Sequence, residues 1–161
     1  DENVLGEFGL MGVFKLHLPE ERARELAAFC AGYRYAILEN QKTKQLILVY
    51  RVQLAGEAEA LRFFGNYSSL LEMKYDSRRF LFRRPNFFSF SAEEGGVFLR
   101  CLQDQCVSME GGTRAQFDAL VAALGWPKNP SIPPRPSRST QKSTIAALPP
   151  LAAPADALAL P

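Results

Sequence analysis

Apolar positions recur along the chain in two rhythms. After Pro19-Glu20-Glu21, the residues Ala23, Leu26, Ala27 and Cys30 follow at i, i+3, i+4 and i+7, the spacing of one helical face. Proline suits a first turn, acids there complement the helix dipole, and Gly32 is expected to end the run. A second helix is predicted over Glu57–Lys74, with Leu61, Phe64, Tyr67 or Ser68, and Leu71 on its stripe. Thr113-Arg114-Ala115-Gln116 forms a capping box, in which each side chain satisfies a backbone donor left over at the helix start. Phe117, Leu120, Val121 and Leu124 follow as the buried stripe of that helix, and Gly125 closes it. Residues 4–18 are read as a helix on Leu5, Phe8, Met11 or Gly12, and Leu16, although Gly6, Gly9 and Gly12 interrupt them.

Between the helices the pattern changes to that of strands. Residues 33–39 and 45–52 form a predicted hairpin around the polar segment 40–44. Residues 79–84, 87–91, 97–102 and 105–109 are further short strands, parted by Arg84-Pro85-Asn86, Glu93-Glu94-Gly95-Gly96 and Gln103-Asp104. This order predicts an α+β domain: an antiparallel sheet of four to six short strands with three or four helices covering one face.

Composition divides the chain at Trp126-Pro127. All twelve Phe, all five Tyr and the single Trp lie at or before 126, whereas nine of eleven Pro lie beyond it. A segment rich in proline and devoid of aromatics cannot join a ladder or bury enough surface to offset its ordering entropy. One domain over 1–126 and a disordered Pro/Ala-rich tail or linker over 127–161 are therefore expected. The formal charge is +2. Lys128, Arg135, Arg138 and Lys142 against Asp156 give the tail +3, so the domain carries −1 and lacks the strongly basic footprint of a nucleic-acid binder.

The chemistry-bearing residues narrow the function further. His17 is the only histidine, so an HExxH zinc site or a multi-histidine centre cannot be built from this chain. There is no GxSxG motif and no phosphate-cradling glycine loop, and Gly6-Glu7-Phe8-Gly9 lacks the preceding strand and third glycine of a dinucleotide fingerprint. No catalytic residue, cofactor or metal is assigned. No apolar run reaches the ~18–20 residues of a membrane span. The opening Asp1-Glu2-Asn3 has neither Met nor a basic leader, which suggests a processed form or a piece of a longer protein.

Two local features remain. If Gln103-Asp104 is a two-residue turn, Cys101 faces Cys106 at a separation that suits a cross-strand disulfide; two half-buried thiols are the other reading of the same spacing. Arg78 to Phe90 interleaves arginines with aromatics, as a single-strand nucleic-acid platform does. A half-buried strand with Phe80, Phe82 and Arg84 on one side, and Arg79, Leu81 and Arg83 on the other, explains the pattern without a ligand. Arg79, Arg83, Arg84, Tyr50 and Arg51 are the candidate binding surface. A small enzyme using Tyr33, Arg34, Tyr50 and Arg51 as its pocket is the alternative.

Four segments, Val4-Leu5-Gly6-Glu7-Phe8-Gly9-Leu10, Gly32-Tyr33-Arg34-Tyr35, Leu48-Val49-Tyr50-Arg51-Val52 and Met109-Glu110-Gly111, carry a resemblance across residues 4–126. They resemble the C-terminal domain of long, uncharacterised exported bacterial proteins whose N-terminal part is a zinc-peptidase-like domain with an HExxH helix. Relatives often carry a Trp and a Gly-Asp pair before the first strand, where this chain has Cys30-Ala31-Gly32-Tyr33-Arg34. The HExxH helix is not in this chain. The resemblance implies a non-catalytic accessory or binding domain, working outside the cytoplasm, with a peptidase-like domain as partner.

Overall fold

A computed structural model describes residues 2–3 (backbone only), 11–12, 14–41 and 43–131. The strands are β1 (Glu2–Asn3), β2 (Cys30–Glu39), β3 (Leu46–Leu54), β4 (Arg79–Arg84), β5 (Phe87–Ala92), β6 (Gly95–Leu102) and β7 (Gln105–Gly112). The helices are α1 (Glu20–Ala28), α2 (Glu57–Lys74) and α3 (Arg114–Ala123). The strands form one sheet in the order β1-β2-β3-β7-β6-β5-β4, and every pairing is antiparallel. The class is the α+β arrangement expected, with six strands of ordinary length and the two-residue β1. Of the helix predicted over 4–18, residues 11, 12, 14 and 15 are helical and 4–10 lie outside the described residues. Residues 132–161 of the expected tail also lie outside them.

The helices do not all cover one face. Side chains alternate along a strand, so neighbours in sequence report on opposite faces. Phe88, Phe90, Val97, Leu99, Cys101 and Cys106 pack with Leu26, Phe63, Tyr67 and Leu71 beneath α1 and α2. Phe87, Phe98, Val107 and Met109 pack instead with Phe117 and Val121 of α3. The middle strands are buried on both sides, which is why β5 and β6 carry apolar residues at consecutive positions, Phe87-Phe88 and Val97-Phe98-Leu99, rather than alternating ones. α3 is the cover their second face requires.

Two helix readings shift for similar reasons. The stripe of α2 is Ala60, Phe63, Phe64, Tyr67, Leu70 and Leu71, while Leu61 is 49% exposed. Cys30 does not belong to α1. That helix ends at Ala28, and Cys30 opens β2 opposite Leu54, with a bulge before Gly32. The ladder to β3 claims those residues over the helical spacing.

α3 behaves as its sequence predicts. Thr113 Oγ1 accepts from the Gln116 amide at 3.3 Å, and Gln116 Oε1 accepts from the Thr113 amide at 2.7 Å. At the other end Gly125 adopts φ +72°. Its amide and that of Trp126 donate to Ala122 and Val121 carbonyls, a Schellman closure. Gly111, at φ +81°, is required by packing as well, since a Cβ there would sit 2.5 Å from the Leu46 carbonyl oxygen.

Thr113→Ala is expected to lower the unfolding free energy by about 1 kcal/mol, seen as a lower urea midpoint at unchanged m-value. Gln116→Ala on that background should add less than it does alone, because the two side chains act as one cap.

Candidate functional site

Three polar clusters are built on this scaffold. The first gathers around Glu110, which lies on the α1/α2 face of β7 and is only 4% exposed. Tyr67 and Lys74 stand two turns apart on α2, and Tyr75 caps the helix, so all three look down onto β7. Lys74 Nζ donates to the carboxylate at 2.7 Å, Tyr75 Oη at 2.7 Å and Tyr67 Oη at 3.3 Å. Tyr33, Tyr35, Tyr50 and Tyr67 then continue as a run of ring contacts 6.0–6.4 Å apart. Burial, joined by the Glu110 charge, pushes the Tyr50 and Tyr67 hydroxyls above the ordinary tyrosine range. Burial and the hydrogen bond to Glu110 do the same to Tyr75. The Tyr67 and Tyr75 phenols are the two that donate to Glu110. The gap between Tyr50, Phe63, Tyr67 and Ser108 is too narrow to admit water; the buried Glu110 is thus tied to α2 from below, with Lys74 reaching it from the exposed rim.

The second cluster lies on the α3 face. Arg100 of β6 is 4% exposed, and its guanidinium donates to Pro127 O at 2.6 Å and Asn129 Oδ1 at 2.8 Å. Asn129 donates in turn to Asp118, which also accepts from Arg114 Nε at 2.8 Å, and Arg114 reaches Pro130 O at 2.9 Å. The Trp126 ring lies 5.7 Å from the Arg100 guanidinium carbon. Burial, reinforced by the Arg114 charge, lowers the Arg100 pKa. This cluster holds residues 127–130 against the domain.

The third is open. On the same face, beyond the cover of α3, Arg34 of β2 stands directly opposite Arg51 of β3. Gly32, Tyr33, Arg34, Arg51 and Gln53 line a depression of about 360 Å³. Arg51 donates to Gln105 Oε1 at 2.9 Å, a neutral acceptor, and neither arginine has an ion pair among the described residues.

The sequence-derived candidates fall in different places. Tyr33 and Tyr50 point into the core while Arg34 and Arg51 point to the α3 face, so the sheet divides the four-residue pocket in two. Arg79 and Arg84 lie on β4, four strand spacings or about 19 Å from β3. Arg83 lies on the α1/α2 face, where it pairs with Glu72, hydrogen-bonds Ser68 and covers the Phe88 ring. A bulge between Arg79 and Phe82 transfers Arg79 to the side of Phe82 and Arg84, away from Arg83. Cys101 and Cys106 are buried cross-strand partners joined in a disulfide, Cα to Cα 4.0 Å. His17 is exposed. Among the described residues no group of three His, Cys, Asp or Glu is placed to hold a metal ion, and no helix is long and apolar enough to cross a membrane.

Glu110, Lys74, Tyr75 and Arg100 were not singled out as site residues from the sequence. The available signal for Arg100 was an arginine inside the apolar strand read over 97–102, whereas Glu110 fell just past the strand read over 105–109. No family model matches the chain, and no curated protein or solved structure gives a match either.

The raised phenols set the alkaline limit of stability. Below the unfolded tyrosine pKa, about 10, their contribution is constant. Above it the unfolded chain binds fewer protons than the folded one, so stability falls by up to about 1.4 kcal/mol per pH unit for each such group. Urea unfolding followed upward from about pH 9 should show this decline, and Tyr75→Phe should make it shallower.

Proposed function

We propose that this chain is a non-catalytic binding domain that recognises an oxyanion, a carboxylate or a phosphate, carried by its ligand or partner protein. The observation that carries this reading is the Arg34–Arg51 pair. Like charges directly across a ladder destabilise it, yet here two arginines occupy directly opposed ladder positions beside an open depression. An incoming oxyanion relieves that repulsion and accepts from both planar donor forks, a geometry arginine offers better than lysine. The titratable residues that would suit acid–base chemistry lie elsewhere, around Glu110, where Lys74, Tyr67 and Tyr75 all donate to its carboxylate.

The Cys101–Cys106 disulfide supports a place of action in an oxidising compartment. Export agrees with the accessory role that the resemblance implies, and a peptidase-like neighbour presenting carboxylates is a partner of suitable chemistry.

Titration with inorganic phosphate and with citrate, followed by amide chemical shifts, should move residues 32–34, 51–53 and 105 together. Arg34→Gln should weaken both ligands by about tenfold or more, the value of a charged hydrogen bond. The same substitution should raise unfolding stability by a few tenths of a kcal/mol, because it removes a like-charge pair. Unchanged affinity and unchanged stability together would sink the assignment. Separately, protein taken from its own compartment and alkylated without reduction should gain no more than one alkyl group, at Cys30; labelling of Cys101 and Cys106 would count against an oxidising location.

A further inference from the structure

The Cys101–Cys106 bridge lies in the row of the sheet between the two rows that line the Arg34–Arg51 depression. Cys101 stands opposite Cys106, and Cys106 opposite Val52 of β3. One adjoining row is Gly32, Gln53 and Gln105; the other is Arg34, Arg51 and Val107. Gly32, Gln53, Arg34 and Arg51 are the lining of the depression. The bridge is thus set between Arg51 and Gln53 along the strand, with its sulfurs on the opposite face.

The turn that the bridge closes reaches the same site. Arg51 Nη2 donates to Gln105 Oε1 at 2.9 Å. The Asp104 carbonyl accepts from the Leu54 amide at 2.8 Å and from Gln53 Nε2 at 3.4 Å. Gln103 takes φ +54°, a turn geometry that glycine, asparagine or aspartate normally supplies. The sequence of the turn therefore does not favour its shape, and the covalent bond beside it does the holding. That bond closes a sequence separation of only 5, and so short a loop gains little from cross-linking in the unfolded chain. The ladders on both sides of β7 and the burial of both cysteines remain available to the dithiol form, in which each thiol is a small apolar residue.

We propose that formation of the Cys101–Cys106 bond arms the oxyanion site, an inference that rests on the function proposed above. The reaction is thiol–disulfide exchange with a protein disulfide oxidant. The two thiols give up two protons and two electrons as their S–S bond forms, and the oxidant's S–S bond is reduced to two thiols. With the bond made, the turn is fixed and Gln105 acts as a positioning residue for the Arg51 fork. The cost of ordering that fork is then met before the ligand arrives. In the dithiol form the domain stays folded, the turn relaxes and Arg51 loses its positioning partner. Binding is withheld until the chain meets an oxidising compartment.

Phosphate titration of the full chain, followed by amide chemical shifts, compares oxidised protein with protein reduced by dithiothreitol and desalted without air. Reduction should weaken phosphate about fivefold, the worth of one hydrogen bond, with the amide spectrum still dispersed. Gln105→Ala should weaken the oxidised protein similarly and abolish the redox response, because bridge and side chain act through one contact. Equal affinity in the two redox forms overturns this inference and leaves the oxyanion reading standing. A redox response undiminished in Gln105→Ala, or loss of dispersion throughout the chain on reduction, overturns it too. An oxidised parent that binds no phosphate overturns the oxyanion reading, and this inference with it.

Discussion

The pairing of β7 with β3 makes one molecule out of two β units. Without it the hairpin β2–β3 and the meander β4–β7 would be separate small sheets, each with an open edge and a half-buried face. Six residue pairs, from Leu48 with Glu110 to Gln53 with Gln105, close that seam. The last strand in sequence thereby becomes the middle strand in space, and all of β7 after Gln105 is buried. Enclosure dictates much of the chemistry. A carboxylate at Glu110 can persist there only if charge and lone pairs are met from within, and the end of α2 supplies a lysine and two phenols for that purpose. The turn into β7 is tied to the same seam, since the Asp104 carbonyl accepts from the Leu54 amide at 2.8 Å.

Central strands need cover on two faces, and among the described residues one helix, α3, serves the second. α3 reaches β6 and β7 and leaves the outer part of β2–β3 open to solvent on that side. The margins therefore differ from the middle in what they can carry. Arginines can stand there without an ion pair, because water remains in reach.

Local features were legible in the sequence because their causes are local. The capping box, the glycine closure of α3, the span of α2 and the two-residue turn at Gln103–Asp104 all depend on residues a few positions apart. Strand order, the side taken by α3 and the bulge at Phe80 depend on contacts between distant segments. Glu110 illustrates the difference: its partners lie 35, 36 and 43 residues away. The split of the Tyr33, Arg34, Tyr50 and Arg51 pocket, by contrast, was open to reading from period-two alternation alone, since residues adjacent in a strand cannot share a face.

The registers also place four arginines in a single line. Across the sheet, Arg34 faces Arg51, Arg51 faces Val107, Val107 faces Arg100, Arg100 faces Phe87 and Phe87 faces Arg84. All six side chains lie on the α3 face. Their fates differ through cover rather than residue type. Arg100 sits under Trp126 and residues 127–130, where Pro127 O and Asn129 Oδ1 both accept from its Nη1 and make it an internal anchor. Arg84, at the β4 margin, lies over an aromatic ring, and Arg34 and Arg51 face each other across an open depression. A guanidinium becomes available to a ligand only where the protein has not already supplied its acceptors. In this row the arginines at the two ends of the sheet, Arg34, Arg51 and Arg84, stand exposed, and the one at its centre, Arg100, is buried.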